Sequence, residues 1–245
     1  MGMYKVLIVD DERDVRSGYA RFFPWESLGF EVAVTAGSGA QAMDTMKRIH
    51  IDVMICDIEM PDMNGIELIR AIRAQDLDMA IVVLSGHDLF EYARELLSYQ
   101  VAGYILKSEK QAVLMELMRS IKERLDARER VEQDIVSRAQ QYVSEHFATA
   151  NLRNAAAYVH VSVPYLSRTF KDRSGMNFNA FLLDVKLRRA EKLLENRDRR
   201  IHEIAEELGY ADTQSFNRVF KKATGMTPKE YQKNAHRNTL RESEC

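Results

Sequence analysis

Short apolar runs alternate with amphipathic stretches through the first half of the 245-residue chain. The runs are five or six residues long, and they span residues 4–9, 31–35, 51–56, 79–84 and 101–106. Between them, apolar residues recur every three to four positions, which is typical of a helix. Strands that alternate with helices in this way predict a parallel sheet with helices on both of its faces.

The predicted helices of this half each have one apolar face. In chain order these faces are Val15-Tyr19-Phe22, Ala42-Met46-Ile49, Leu68-Ile69-Ile72 and Phe90-Ala93-Leu97. Ser38 is a predicted N-cap, and Gly65 opens the third helix.

A polar side chain follows each of four predicted strands. These residues are Asp10 and Asp11, Asp57, Ser85 and Lys107. Because the carboxyl ends of parallel strands meet in one crevice, we expect the side chains to surround one reacting atom. A carboxylate can accept a phosphoryl group, and oxygen ligands suit Mg²⁺, which relieves repulsion between carboxylates. Each residue also has a plainer local interpretation, such as a helix cap or a surface charge, and only the whole set favours this chemistry.

These motifs carry a family resemblance. Asp10-Asp11, Asp57 with the following Met60-Pro61 and Asn64-Gly65, Ser85-Gly86, Tyr104 and Lys107 resemble the receiver domain of response regulators. The resemblance implies an α/β flavodoxin-like fold with five parallel strands in the order 2-1-3-4-5. It also implies that Asp57 is the phosphoacceptor. The implied ligands of Mg²⁺ (or Mn²⁺) are Asp10, Asp11, Asp57 and the backbone carbonyl of Glu59.

By the same resemblance, Ser85 and Lys107 contact the phosphoryl group, and Tyr104 is an aromatic switch. Ser108 follows Lys107 where many receivers have proline. Because a cis peptide bond is cheap only before proline, the isomer of this bond is left open.

The second half of the chain repeats itself at a shift of 50 residues. Arg168 matches Arg218, Phe170 matches Phe220, and a Gly-Met pair at Gly175 recurs 50 residues later. Each copy has the pattern of a helix, a turn, a second helix and a terminating glycine. The pattern predicts an all-α domain with two helix-turn-helix motifs.

Segments 165–171, 204–210 and 216–222, with the Gly-Met-Thr-Pro that follows, resemble the DNA-binding domains of the AraC/XylS family. The resemblance implies that a long helix, about residues 179–195, holds recognition helices at about 163–173 and 213–223 on one face of DNA. Lys186 and Gln232 stand where the family commonly has arginine.

Polar residues on the outward faces of the recognition helices are the predicted DNA contacts. They are Pro164, Tyr165, Ser167, Arg168 and Lys171 in the first helix, and Thr213, Gln214, Asn217, Arg218, Lys221 and Lys222 in the second. Arginine can read guanine, asparagine or glutamine can read adenine, and the lysines suit phosphates. For any single residue, a solvated helix face is the alternative.

Charge divides the chain in the same place. Residues 1–118 contain 11 Lys/Arg and 19 Asp/Glu, residues 119–135 contain five of each, and residues 136–245 contain 19 and 13. A basic half favours a polyanionic partner. We assign a receiver domain to 3–118, a helical linker to 119–135, the DNA-binding domain to 136–236 and a flexible tail to 237–245.

Apolar residues in and before the linker recur at spacings of four, three and four, as in a coiled coil. They are Leu114, Met118, Ile121 and Leu125. Either the last receiver helix packs on its own sheet, or a short helix beyond it dimerises.

Several protein classes are excluded or disfavoured. No apolar stretch approaches the roughly 20 residues that span a bilayer, and no secretory signal begins the chain. Cys56 and Cys245 are the two cysteines, so a disulfide framework is not expected. We therefore expect a cytoplasmic protein without a membrane partner.

Together these features predict a two-component transcriptional regulator whose DNA binding is controlled by phosphorylation. Its expected partners are a cognate sensor histidine kinase, double-stranded promoter DNA and, once phosphorylated, a second copy of the chain. Self-phosphorylation and self-dephosphorylation at Asp57 are its expected chemistry. The alternatives are a receiver with a purely structural role and a Mg²⁺-dependent phosphotransferase or phosphatase. A sugar-sensing β-barrel is excluded by the alternation of strands and helices.

Overall fold

The computed structural model describes residues 2–75, 79–86, 95–96 and 98–234. The chain divides into two compact units, Met1–Ala127 and Arg128–Cys245. The predicted helix face Phe90-Ala93-Leu97 and the predicted tail 237–245 lie outside the described residues. Within the described ranges, no helix has the length and apolar character needed to cross a membrane.

The first unit is built on a parallel sheet. Its described strands are β1 (Tyr4–Val9), β2 (Phe30–Ala36), β3 (Val53–Asp57), β4 (Ala80–Ser85) and β5 (Gly103–Leu106). They pair in the order β2-β1-β3-β4-β5, which confirms the predicted topology. Because β3 lies between β1 and β4, all of its residues are buried.

Helices cover both faces of this sheet. They are α1 (Arg13–Phe22), α2 (Gly39–Met46), α3 (Gly65–Ala74) and the start of α4 (Gln111–His146). Successive side chains of a strand point to opposite faces. Accordingly, Val6 and Ile8 belong to one apolar cluster, whereas Leu7 and Val9 belong to the other. This two-sided burial explains why the strands are continuous apolar runs.

The apolar face of α1 differs from the prediction at its end. Tyr19 is partly buried, but Phe22 is 83% exposed, and Phe23 enters the core instead with 5% exposure. The helix ends at Phe22, and Phe23 has an extended backbone (φ −82°, ψ 138°). This change of backbone turns the Phe23 ring onto Trp25, with ring centroids 4.2 Å apart.

The apolar repeat along α4 packs inside the chain. Leu114, Met118 and Ile121 are buried against the sheet, and Leu125 packs on the same cluster. Ile135, farther along the repeat, is buried in the core of the second unit. Intramolecular packing therefore accounts for these apolar positions without a second copy of the chain.

The second unit is helical throughout its described elements. After the end of α4 come α5 (Leu152–Tyr158), α6 (Val163–Ser174), α7 (Phe178–Leu194), α8 (Ile201–Glu207) and α9 (Thr213–Thr224), and residues 228–234 are also helical. The start of α7 contributes Phe178 to one core, and its end contributes Ala190 and Leu194 to a second core. The helix α7 is the predicted linking helix, and it begins and ends one residue earlier than the predicted range of about 179–195.

The 50-residue repeat is also a structural repeat. The N-cap side chains of α6 and α9, Ser162 and Asp212, accept hydrogen bonds from the N–H groups of Tyr165 and Ser215. Gly175 and Gly225 end these helices with φ of 76° and 82°, a backbone region that strongly favours glycine. Equivalent ring contacts fill the two cores, at 5.5 Å for both Phe170–Phe181 and Phe220–Tyr231.

Candidate functional site

Three carboxylates converge at the carboxyl edge of the sheet. Asp57 ends β3, and Asp10 and Asp11 follow the neighbouring strand β1. One oxygen from each of the three lies within 4.8 Å of the others. Asp10 and Asp57 are each only 3% exposed, whereas Asp11 is exposed.

Lys107, directly after β5, brings the positive charge. Its Nζ lies 2.8 Å from Oδ2 of Asp57 and 3.0 Å from Oδ2 of Asp10, with a carboxylate oxygen of Glu12 at 3.5 Å. Burial opposes the charged ammonium, but the hydrogen bonds to Asp57 and Asp10 outweigh it and raise the pKa of Lys107. Burial raises the pKa of Asp10 despite its hydrogen bond with Lys107. One ammonium therefore compensates the buried carboxylates only in part.

The donor set fits a divalent cation. Oδ1 of Asp57 is buried and has no hydrogen-bond partner within the described ranges. A buried carboxylate oxygen without a partner is costly, so its place in the pocket favours a bound ligand. Carboxylate and carbonyl oxygens are the ligands of Mg²⁺ and Mn²⁺. Glu59, whose carbonyl is the further expected donor, is exposed two residues after Asp57.

Arg16 supports this pocket, and its role was not predicted from the sequence. Its guanidinium donates hydrogen bonds to the backbone carbonyls of Asp10 and, at 3.4 Å, Asp11. The N–H of Glu12 donates to Oδ1 of Asp10 at 2.9 Å. These bonds hold the backbone of the loop after β1 and fix the direction of the Asp10 side chain. The one sequence feature that could have indicated this role is that Arg16 lies within two helical turns of Asp10 and Asp11.

Gly65 allows α3 to begin against the end of β3. A Cβ atom at this position would lie 2.1 Å from the carbonyl oxygen of Asp57 and 2.9 Å from Cα of Ile58. The Gly65 N–H donates to the Ile58 carbonyl at 2.9 Å. Only glycine therefore permits this close backbone approach beneath Asp57. Asn64 caps α3 through a capping box with Glu67.

The other predicted pocket residues lie on the next two strands. Ser85 ends β4 and is fully buried, and its carbonyl accepts a hydrogen bond from the Lys107 N–H at 2.7 Å. Tyr104 lies on β5 opposite Val83 and packs, partly buried, on an apolar cluster of the sheet. The Lys107–Ser108 peptide bond is trans.

The predicted DNA-contact residues lie on matching faces of α6 and α9. Pro164, Ser167, Arg168 and Lys171 are exposed, while Leu166 on the opposite face is fully buried. A shift of 50 residues places Gln214, Asn217, Arg218 and Lys221 on the equivalent face of α9. On α9, Gln214, Arg218, Lys221 and Lys222 are exposed, and Asn217 and Thr213 are half-buried. Tyr165 on α6 is also half-buried.

The two departures from the AraC/XylS pattern have local partners. Lys186 places Nζ 5.1 Å from the centre of the Tyr210 ring, and burial lowers the pKa of Lys186. Gln232 donates from Nε2 to the carbonyls of Asn196 and Arg199, at 3.0 and 3.1 Å. Glutamine at 232 therefore fastens the last described helix to the turn after α7.

Comparisons with known proteins match both halves. The model of the response regulator receiver domain matches residues 6–119, and a helix-turn-helix domain model matches residues 155–234. An uncharacterized response regulatory protein from Staphylococcus epidermidis is 30% identical over 254 aligned positions, which cover 94% of this chain and 99% of the relative. Transcriptional regulatory protein HptR from Staphylococcus aureus is 29% identical, covering 95% of this chain and all of HptR.

Among solved structures, the receiver domain of AraT, a response regulator from Geobacillus stearothermophilus, is 33% identical. The aligned region covers 52% of this chain and 98% of the AraT receiver domain, with a TM-score of 0.49.

The relatives match the chain over nearly its whole length, and the two domain models match in the order that the charge and the fold indicate. The chain therefore belongs to the response regulator family, as a phosphorylation-dependent transcriptional regulator with an N-terminal receiver domain and a C-terminal AraC/XylS-type DNA-binding domain.

Proposed function

We propose that Asp57 accepts a phosphoryl group from the phosphohistidine of a sensor kinase. An oxygen of Asp57 forms the new P–O bond as the P–N bond to the donor imidazole breaks, and the imidazole leaves with the bonding electron pair. The observation that carries this proposal is the Asp57 carboxylate itself. Lys107 holds Oδ2, while Oδ1 is buried without a hydrogen-bond partner among the described residues.

Asp10, Asp11 and Asp57, with the backbone carbonyl of Glu59, would hold Mg²⁺ (or Mn²⁺) in this pocket. When bound, the ion supplies positive charge that reduces repulsion between the carboxylates and the phosphoryl oxygens. Lys107 adds a point charge in contact with both Asp10 and Asp57, and Arg16 keeps the acidic loop in place. Water attack on the acyl phosphate in the same pocket gives self-dephosphorylation.

Ser85 and Tyr104 form the proposed switch. The buried Ser85 ends the strand next to Asp57, so its hydroxyl is suited to donate a hydrogen bond to a phosphoryl oxygen. Movement of Ser85 then leaves space into which the half-buried Tyr104 ring turns. Phosphorylation shifts the population of receiver states. We propose that the shifted state favours a homodimer at paired promoter sites. In this proposal the receiver domain (3–118) acts through the linker (119–135) on the DNA-binding domain (136–236).

A groove beside the pocket is the proposed docking face for the kinase. It has a volume of about 370 Å³, and its apolar lining includes Tyr19, Phe22, Ile105, Leu106 and Leu114. Leu106 directly precedes Lys107, so a helix seated here would lie close to Asp57. The 83% exposed Phe22 ring offers apolar area that such a partner would bury.

Contacts to DNA are proposed for the outward faces of α6 and α9. Arg168 and Arg218 occupy equivalent exposed positions and are suited to guanine edges. Gln214 and Asn217 suit adenine, whereas Lys171, Lys221 and Lys222 suit phosphates. Pro164, Tyr165, Ser167 and Thr213 complete the two faces.

The phosphoacceptor is tested by labelling with acetyl phosphate and Mg²⁺, followed by intact mass measurement. We expect one phosphoryl group on the wild-type chain and none on Asp57→Asn. Asp62→Asn, an exposed carboxylate five residues away, is the matched control and should label normally. EDTA should abolish labelling, and Mg²⁺ or Mn²⁺ should restore it. Full labelling of Asp57→Asn would show that Asp57 is not the acceptor.

Two further measurements separate the alternatives. A receiver with a purely structural role predicts the same DNA affinity before and after phosphorylation, whereas the switch predicts a higher affinity after it. A phosphatase or phosphotransferase predicts multiple turnovers on a small phosphate ester, whereas an acceptor that uses phosphohistidine or an acyl phosphate as donor predicts no turnover of the ester.

A further inference from the structure

An ionic cluster fastens the end of the first recognition helix to α4. Arg173, in the last turn of α6, donates from Nη1 to Glu129 at 2.8 Å, and from Nε and Nη2 to Oε2 of Glu132 at 2.9 and 2.7 Å. Arg128 donates from Nε to the other Glu132 oxygen at 2.8 Å. These four residues are called the Arg173 cluster below.

The cluster is ionised and partly buried. Glu132 is 7% exposed, although it is a charged residue. Burial opposes its charge, but the hydrogen bonds from Arg128 and Arg173 outweigh that effect and lower the pKa of Glu132. A buried ion pair adds little net stability compared with apolar packing. Its forked geometry instead fixes direction as well as distance.

The position of Arg173 relates this geometry to DNA readout. Arg173 lies two residues after Lys171 and five after Arg168, on the same helix. Leu166 and Phe170 anchor that helix in the core through apolar contacts, which are not directional. The cluster supplies a second, directional attachment, to the part of α4 within the same unit.

The repeat is broken at this position. A shift of 50 residues from Arg173 gives Ala223 in α9, which cannot form an ion pair. The caps, the terminating glycines and the core rings of the two motifs correspond, yet among the described residues only α6 has such an ionic attachment at its end. The difference therefore points to a function in the first motif beyond the packing that both motifs share.

We propose that Glu132 and Arg173 are positioning residues for DNA recognition, which set the orientation of α6 and so the base readout of the first motif but not of the second. The proposal rests on DNA binding by α6 and α9. Because α4 runs unbroken from Gln111 to His146, the cluster also lies on the helix that leaves the receiver domain.

The test uses the full-length chain and a duplex selected from a random DNA library by the wild-type chain. An iron chelate attached to Lys171→Cys or Lys221→Cys, in a Cys245→Ser background, cleaves the DNA near each helix and so assigns the two half-sites. Dissociation constants are then measured for the selected duplex and for duplexes with one half-site replaced. The variants are Glu132→Gln, Arg173→Lys and the control Asp134→Asn, whose carboxylate pairs with Arg138 on α4 alone.

We expect Glu132→Gln to reduce the preference for the α6 half-site by about fivefold or more. The preference for the α9 half-site should change by less than about twofold. Arg173→Lys keeps the charge but loses the fork, and it should act in the same direction. Asp134→Asn should change neither preference.

Thermal unfolding of each variant is measured by circular dichroism, to establish that the variant folds. If Glu132→Gln fails to fold, Arg173→Lys and Glu129→Gln decide the outcome, since each leaves Glu132 with at least one arginine partner. Equal losses at both half-sites, or no loss at either in folded variants, would overturn the proposal. Failure of the wild-type chain to select any duplex would overturn DNA binding by these helices instead, and the proposal with it.

Discussion

Alanine at Gly65 is expected to damage the receiver domain at its phosphoacceptor. The added Cβ would lie 2.1 Å from the Asp57 carbonyl oxygen, more than 1 Å inside an ordinary contact of roughly 3.5 Å. Both close neighbours are backbone atoms, so α3 has to move away from β3. Overpacking of this kind costs about 1–3 kcal/mol, and weakening the Gly65–Ile58 hydrogen bond adds up to about 1 kcal/mol. We therefore expect a loss of about 1–4 kcal/mol in the free energy of unfolding.

Trp25 provides a selective assay for this loss. It is the single tryptophan of the chain and is buried in the first unit, so its fluorescence in urea follows the unfolding of that unit. Gly18→Ala is the matched control, because its Cβ would meet nothing within 4 Å in the middle of α1. It should stabilise the unit by about 0.5–1 kcal/mol. The reasoning is refuted if Gly65→Ala unfolds within about 0.5 kcal/mol of wild type and labels with acetyl phosphate at the wild-type rate.

Three other expectations follow from single side chains. Phe22→Ala should slow phosphorylation by the cognate kinase at least about tenfold, as expected for an apolar anchor. Labelling by acetyl phosphate and stability in urea should stay unchanged, because Phe22 is 83% exposed. Equal slowing with the kinase and with acetyl phosphate would contradict the docking proposal. Gly175→Ala should cost about 1–2 kcal/mol from its positive φ alone, whereas Gly209→Ala should lower the melting temperature further, since its Cβ would also lie 2.0 Å from the Ala148 carbonyl oxygen. As pH falls below the ordinary glutamate pKa of about 4.3, unfolded chains bind a proton that folded Glu132, with its lowered pKa, does not. The wild type should therefore lose stability in that window, and Glu132→Gln should lose less of it, in acid titrations followed by circular dichroism.

The alternation of apolar runs was sufficient to predict a parallel sheet with helices on both faces, because helix-length stretches separate the strands and the central strand β3 is buried throughout. The order of the strands was implied by the resemblance to receiver domains. The same logic brought Asp10, Asp57 and Lys107 together, since strand ends in a parallel sheet converge. Local capping chemistry also predicted Ser38 as an N-cap, which its hydrogen bond with the N–H of Gln41 confirms.

Other features depend on where an element stops or on distant partners. Periodicity favoured Phe22 for the core, but the helix ends there and Phe23 turns inward. Arg16 acts through backbone carbonyls, which leave no pattern of residue types. Arg173 and Glu132 are 41 residues apart, so only the tertiary fold brings their charges together.

The partial correspondence between the two helix-turn-helix motifs has a consequence for the orientation of target sites. Arginine and lysine recur at 168/218 and 171/221, but Pro164 and Ser167 correspond to Gln214 and Asn217. If α6 and α9 contact DNA as proposed, one chain presents two unlike recognition helices in a fixed order, and we expect its half-sites to differ in sequence. A target site of this kind has a left and a right. Inverting it in front of a promoter would point the bound regulator the opposite way along the chromosome, with its contacts to the DNA otherwise unchanged.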